Sequence, residues 1–283
     1  MPLDPHEIVG VGLAVLGSRE ILNKLLGPSA EYIGEKARGL VEKCDINLDN
    51  IFKKATKKLG KKIENPGGVS PRILKYVWDE GRFCEDELVA EYYAGILAAS
   101  RTESGKDDRS VGYLAMVKEL STYQLRLHYV FYTLIKRIFD GKELSLQIDT
   151  DRGQMGIFIP EDVYKTALEF GEHEEENIIE IHCLEGLARQ HLIIEDTAYG
   201  DKENVQKIFK NAQQPGMIMR PTVPGTALFL QALGYADRAP AELIDPQFVI
   251  EEPVIKIIDG AVPIHREGFP FERPAEYPHV KPG

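Results

Sequence analysis

Residues 121–139 read Ser-Thr-Tyr-Gln-Leu-Arg-Leu-His-Tyr-Val-Phe-Tyr-Thr-Leu-Ile-Lys-Arg-Ile-Phe. Ser121 and Gln124 have the spacing of a capping box, in which each side chain accepts a hydrogen bond from the other residue's backbone N–H at a helix start. The apolar residues that follow would lie on more than one side of the helix, namely Leu127, Val130, Phe131, Leu134, Ile135 and Ile138. Because a helix that is apolar on several sides is buried, we expect the most buried element of the protein here.

The sequence before this helix has helical spacing and no strand pattern. Apolar residues recur every three or four positions over residues 26–44 and again over residues 48–59. Residues 45–50, Asp-Ile-Asn-Leu-Asp-Asn, predict a break between two helices. Residues 65–68, Asn-Pro-Gly-Gly, predict a loop. The acids at residues 85–87 favour a helix start, where the positive end of the helix dipole lies.

The second half changes character. Residues 160–170 and 177–191 are predicted helices, residues 192–196 and 217–222 are strand candidates, and residues 224–233 form a predicted closing helix. This order of helices, a β-pair and a helix is that of a winged helix-turn-helix with an added closing helix.

The predicted fold class is therefore mainly α, in three parts. A helical N-terminal domain covers residues 1–110, a winged-helix-like α+β domain covers residues 111–236, and an extended, proline-containing tail covers residues 237–283. The tail has one β-like run, residues 254–258, and its last dozen residues read as extended.

Composition excludes several classes of protein. Hydrophobic residues make up 43% and charged residues 28%, the balance of a folded chain, and the formal charge is −11. An acidic chain argues against a surface built to neutralise nucleic-acid phosphates. Cys44, Cys84 and Cys183 lie far apart with no C-x-x-C pair, so neither a disulfide framework nor a cysteine zinc site is supported. A reducing cytoplasm is the expected compartment.

The N-terminal segment departs from this acidic average. Residues 18–62 contain eleven Lys or Arg and six acids, a net charge of +5, and the apolar, charge-free residues 8–16 precede them. That apolar run is shorter than the roughly 20 residues of a membrane-spanning helix, and no basic region of a secretion signal precedes it. Two interpretations stay open: packing on the core, a partner or a second copy, and peripheral contact of residues 1–62 with the inner membrane.

No motif of a known catalytic or cofactor site occurs. A Walker loop, a dinucleotide fingerprint, a nucleophile elbow and an H-E-x-x-H helix are all absent. His173, His182, Cys183 and His191 form the one dense group of metal-ligand residue types. However, His182 and Cys183 would point about 100° apart on a helix, and His182 and His191 are off the i, i+4 spacing that places two ligands on one face. We therefore predict no catalytic, cofactor-binding or metal-binding residues.

In a winged helix, the predicted helix at residues 177–191 would enter a DNA groove. Its charged residues are Glu180, Glu185 and Arg189, and four acids precede it. Duplex phosphates would repel such a helix. A packing or protein-interaction role is favoured, and a DNA-binding regulator is the alternative.

Several segments carry a family resemblance when taken together. They are LGPSAEYIGEK at residues 26–36, VSPRIL at 69–74, EDELVAEYYAGILAAS at 85–100, VKELST at 117–122, LEGLARQHLI at 184–193 and PTVPGTALF at 221–229. They resemble the Abi-alpha (abortive infection alpha) family, a bacterial domain family of unknown biochemistry associated with phage resistance. The resemblance covers roughly residues 20–234; the acidic insert between the strand candidates and the tail after Tyr235 depart from it. It implies a role in antiphage defence, with no catalytic residue to carry over.

These observations predict a non-enzymatic antiphage defence protein of abortive-infection type. It would act through a protein partner, through self-association or through a membrane. A winged-helix DNA-binding regulator is the alternative, and a cryptic nuclease or hydrolase is the third reading.

Overall fold

The predicted buried helix begins with its capping box. In the computed structural model, the backbone N–H of Ser121 donates to Gln124 Oε1 at 2.8 Å, and that of Gln124 donates to Ser121 Oγ at 3.3 Å. Val130, Phe131 and Ile135 are fully buried. The sequence therefore predicted both the start and the burial of this helix.

The structure describes residues 30–250 and 253–264, with side chains from Lys43 onward. These residues are mainly helical and include a small antiparallel sheet. The α-helices are α1 (Ala30–Leu59), α2 (Pro71–Gly81), α3 (Glu87–Ala99), α4 (Val111–Glu119), α5 (Thr122–Phe139), α6 (Asp149–Gln154), α7 (Glu161–Leu168), α8 (Glu176–Arg189), α9 (Lys202–Gln206) and α10 (Val223–Ala232). The strands are β1 (Ile157–Pro160), β2 (Ala198–Gly200), β3 (Gly216–Met219) and β4 (Val262–Pro263), and Gly60–Glu64 and Pro240–Ile244 are 3-10 helices.

Contacts divide the chain into two compact units. The first contains the described residues up to Leu125, Ala227–Arg238 and the described part of Ile250–Ile255. The second contains Arg126–Thr226, Ala239–Val249 and the described residues from Lys256 onward. These units are defined by contacts, whereas a domain must in addition be able to fold by itself. The domain limits predicted from the sequence, at residues 110 and 236, therefore remain a prediction.

The first unit is helical, as the sequence predicts. Helix α1 packs on α3, and α2 packs on α3 and α4. Asp86 caps α3 by accepting from the N–H groups of Leu88 and Val89 at 2.9 and 3.0 Å, which confirms the helix start expected at these acids.

The predicted break at residues 45–50 is wrong, because α1 is one continuous helix of 30 residues. Leu48 and Ile51 are buried. The polar side chains are tied to neighbouring segments: Asn47 Nδ2 donates to Arg82 O at 3.0 Å, and Asn50 Nδ2 donates to Glu87 Oε1 at 3.1 Å. Tertiary contacts therefore override the local turn preference of Asn and Asp.

The second unit contains the sheet, in the strand order β2-β3-β1-β4. Strand β3 pairs antiparallel with β1, with Ile157 opposite Met219, and also with β2, with Ala198 opposite Ile218. The charged insert after β2 is part of this unit, because Val205 and Ala212 join the small core formed with Phe158 and Ile218.

The sequence analysis missed strands β1, β2 and β4, and it placed β-structure at residues 192–196 and 254–258. Strand β1 was missed because its four residues are all buried and lack the alternation of a half-buried strand. In residues 192–196 only Ile193 forms a bridge, to Pro221, and the strand lies further on, at β2. The described residues of the 254–258 run form no strand. Ile255 and Ile257 are buried there, so the apolar run reflects burial and not sheet pairing.

Two other expectations concern the tail. Its first part is not simply extended, because it forms the 3-10 helix Pro240–Ile244 and strand β4, with Leu243 and Phe248 buried. Its last dozen residues lie outside the described residues.

Candidate functional site

Four exposed lysines lie at the C-terminal end of α1 and in the 3-10 helix that follows it. We call Lys53, Lys57, Lys61 and Lys62 the lysine stripe. Lys53 forms an ion pair with Asp49 at 2.6 Å, and Glu64 ends the 3-10 helix that carries Lys61 and Lys62. Ile46, seven residues before Lys53, lies on the same helical face and is 67% exposed. The stripe therefore combines positive charge with an exposed apolar side chain.

The other two lysines of this region have a different role. Lys54 and Lys58 both contact Glu91 of α3 at 2.7 Å, and Lys54 also contacts Glu87 at 2.9 Å. Burial alone would raise the pKa of Glu91, but hydrogen bonds from both lysines outweigh it and the pKa lies below its ordinary value. Helix α1 therefore turns Lys54 and Lys58 towards α3 and leaves Lys53 and Lys57 exposed.

Helix α8, the candidate recognition helix, and the segment just before it expose a surface of opposite charge. We call Glu172, Glu175, Ile178 and Glu185 the acidic stripe. All four are exposed, and Ile178 is 60% exposed. None of the three glutamates forms an ion pair with a side chain in the described part of the chain. Arg189 is also exposed, but it is the one basic residue of this helix.

A buried carboxylate lies on the other side of α8. Lys165 Nζ contacts Glu161, Glu176 at 2.6 Å and the buried Glu180 at 3.9 Å. Burial raises the pKa of Glu180, and the single lysine shared by three carboxylates does not reverse this. Burial and Glu180 together raise the pKa of Tyr164. The cluster joins α7 to α8, and Glu180 Oε1 lacks a hydrogen-bond partner.

The residues considered as metal ligands are not brought together. His173, His182 and His191 are exposed, while Cys183 is buried. Burial raises the pKa of the Cys183 thiol to about 12, so it holds its proton at neutral pH. In the described ranges, no group of three or more His, Cys, Asp and Glu side chains is placed to hold a metal ion.

A small groove in the first unit is lined by Phe83, Cys84, Asp86 and Tyr93 among others, with a volume of about 190 Å³. Pockets for drug-sized ligands hold about 300–1,000 Å³. Burial raises the pKa of the Cys84 thiol to about 12, and a protonated thiol is not a nucleophile. The one ion pair across the groove joins Lys118 to Glu80 at 2.6 Å. This groove therefore offers no visible chemistry.

A buried polar network fixes the start of α10. Tyr132 Oη donates to Leu192 O at 2.7 Å and accepts from the Thr222 N–H at 3.0 Å. His128 Nε2 lies 3.1 Å from Gly225 O, and burial lowers the pKa of His128 to about 3, so the ring is neutral. A Cβ at Gly225 would lie 2.1 Å from Leu192 O and from Tyr132 Oη. The network is buried and closely packed, which fits a structural role.

The sequence analysis missed both glutamate clusters and this network. Glu91 pairs with lysines 33 and 37 positions away along the chain, and Glu180 meets Lys165 from a different helix. For the first cluster the sequence does offer one signal, because Glu91 is the one charged residue in the apolar stretch of residues 88–99.

The apolar residues 8–16 and the basic side chains before Lys43 lie outside the described residues. Among the helices that are described, none has the length and apolarity needed to cross a bilayer. Comparisons of the chain with protein-family models, with curated proteins and with solved structures found no match in any of the three.

Proposed function

We propose that this chain is an antiphage defence protein of abortive-infection type, in the Abi-alpha family, acting without catalysis. Residues 1–62 would make the contact with a protein partner or with the cytoplasmic face of the inner membrane. The observation that carries the proposal is the exposed lysine stripe, which continues the basic segment that follows the apolar residues 8–16. The family resemblance supports the biological role.

The physical basis of the membrane contact is the sum of two weak signals. Each basic residue close to an anionic surface contributes about 1 kcal/mol, and this falls off within a Debye length. An apolar segment that enters the interface adds a second anchor. Neither signal is strong alone, so a reversible, salt-dependent contact is expected.

Vesicle flotation tests this contact. The full chain should float with vesicles of phosphatidylglycerol and phosphatidylethanolamine at low salt, and replacing all four stripe lysines by glutamate should abolish flotation. A matched control replaces the same number of exposed lysines elsewhere, Lys106, Lys142, Lys207 and Lys210. If the wild-type chain stays at the bottom of the gradient, the membrane contact is excluded. A contact of residues 1–62 with a protein partner is then the remaining form of the proposal.

A phage challenge tests the biological role. Cells expressing the chain should survive at a low phage-to-cell ratio, and the culture should collapse at a high ratio, because abortive infection sacrifices infected cells. The lysine-to-glutamate variant should lose protection and the matched control should keep it. Equal lysis with and without the chain, over a broad panel of phages, would remove the support for antiphage defence.

We further propose that residues 111–236 form a winged-helix-like domain. The chain order α5-α6-β1-α7-α8-β2-α9-β3 supports this, as does a sheet in which β3 lies between β1 and β2. In this proposal α7 and α8 are the helix pair, and β2 and β3 flank the wing.

The same topology favours one alternative function, a DNA-binding regulator. The acidic stripe opposes it, because Glu172, Glu175 and Glu185 would face phosphates. Binding to a duplex at low salt, lost in Arg189→Ala, would support the alternative. No binding at low salt would exclude it.

A further inference from the structure

We infer that the acidic stripe docks on the lysine stripe of a second copy of this chain, in a head-to-tail contact. The inference rests on the proposed contact role of residues 1–62 and names one partner for it. It is carried by two exposed surfaces of opposite charge, one on α1 and the 3-10 helix after it, the other on α8 and the segment just before it.

The first argument is charge. The acidic stripe presents three exposed glutamates without ion pairs in the described chain. The lysine stripe presents four exposed lysines, of which Lys53 contacts Asp49. Opposite potentials on facing surfaces speed association and fix register. DNA would fit the lysine stripe but not the acidic one, whereas a second copy satisfies both.

The second argument is the position of the exposed apolar side chains. Ile46 and Ile178, at 67% and 60%, are the most exposed large apolar residues on the described α-helices. One lies on the face of the lysine stripe, and the other lies within the acidic stripe. An apolar contact surrounded by charges is the usual anatomy of a protein interface.

The contact uses two different surfaces of each copy, so it is heterologous. Such contacts close into rings or extend into filaments. Each copy offers one of each stripe, and no second component is needed.

Charge reversal tests the contact in the full chain. One variant carries Glu172→Lys and Glu175→Lys, a second carries Lys53→Glu and Lys57→Glu, and a third carries all four changes. Sedimentation velocity over a concentration series should show wild-type self-association that weakens with salt. Each double variant should weaken it at least about tenfold, since close charge pairs couple strongly. The fourfold variant should restore it to within about threefold of wild type.

Two controls make the result specific. Glu143→Lys with Glu203→Lys changes the charge equally at exposed positions elsewhere and should leave association unchanged. Mixing the two double variants should give mixed assemblies. The variant with Lys53→Glu and Lys57→Glu keeps an intact acidic stripe, which can bind the intact lysine stripe of the variant with Glu172→Lys and Glu175→Lys. Circular dichroism of every variant confirms folding.

A wild-type chain that is monomeric at all concentrations overturns the inference. So does association that neither double variant weakens, or a fourfold variant that is not restored. Failure here is separable from failure of the proposed function, because vesicle flotation and phage challenge are measured independently of self-association.

Discussion

Glu91 in the first unit is partly buried and Glu180 in the second is buried; both lie beside lysine, yet their pKa values shift in opposite directions. Glu91 contacts two lysines, Lys54 and Lys58, while Glu180 shares Lys165 with Glu161 and Glu176. Burial raises both pKa values, but in Glu91 the two cations outweigh burial. The number of lysines per carboxylate therefore decides whether the ionised form of a glutamate that is removed from solvent is favoured or disfavoured in the folded unit.

The largest effect is expected for Glu91→Gln. This change leaves two half-buried lysines without their shared anion, so the free energy of unfolding should fall by about 2 kcal/mol, since breaking a buried pair costs more than its net value. Urea denaturation at pH 7 measures it. The control is Asp79→Asn in the exposed pair with Lys75, which should cost much less, because exposed ion pairs contribute little to stability. Equal costs for the two variants would contradict the assigned difference in burial.

A smaller loss is expected for Lys165→Gln. Glu161, Glu176 and Glu180 would then face one another without a cation, and like charges at short range destabilise. Because Lys165 is partly exposed, the loss should be about 1 kcal/mol. The measurement is urea denaturation, and Lys142→Gln, at an exposed position, is the control. If Lys165→Gln were neutral, the cluster would not join α7 to α8.

The capping box, the acidic start of α3 and most helices could be predicted from the sequence, because caps and apolar spacing are local signals. The two glutamate clusters could not, because their partners come from other helices and no local pattern marks them. The prediction of a helix break at residues 45–50 was wrong for the same reason, because Asn47 and Asn50 bind groups that are distant in sequence. Strand β1 could not be predicted, because four consecutive buried residues show no alternation of apolar and polar side chains.

Glu180→Gln should have the opposite sign from Glu91→Gln. The folded-state pKa of Glu180 is raised, so its contribution to stability is present below its ordinary pKa and lost as pH rises through the raised value. At pH 7 the variant should be as stable as wild type or slightly more stable. Urea denaturation between pH 4 and pH 7 should show wild type losing stability relative to Glu180→Gln as pH rises.

Glu91 supplies the matched comparison in the same pH series. Its folded-state pKa is lowered, so its contribution is present above its ordinary pKa and lost as pH falls through the lowered value. The cost of Glu91→Gln should therefore shrink on acidification. Parallel pH curves for the two variants would show that the two glutamates do not differ as described.

The smallest effect on stability is expected for the lysines that point outward. Lys53→Gln with Lys57→Gln should change the free energy of unfolding by no more than about 0.5 kcal/mol, as exposed pairs are weak. Lys54→Gln with Lys58→Gln removes the cations of Glu91 and should cost more. Urea denaturation compares the two pairs, which lie one position apart on the same helix.

In flotation with anionic vesicles, the larger effect should come from the pair of substitutions that has the smaller effect on stability. Removing Lys53 and Lys57 should weaken vesicle binding, and removing Lys54 and Lys58 should spare it under conditions where the chain stays folded. A lysine stripe seated on a second copy cannot face a membrane, so raising protein concentration should also lower the fraction bound to vesicles. If both lysine pairs affected stability and binding equally, α1 would not separate a structural face towards α3 from an outward contact face.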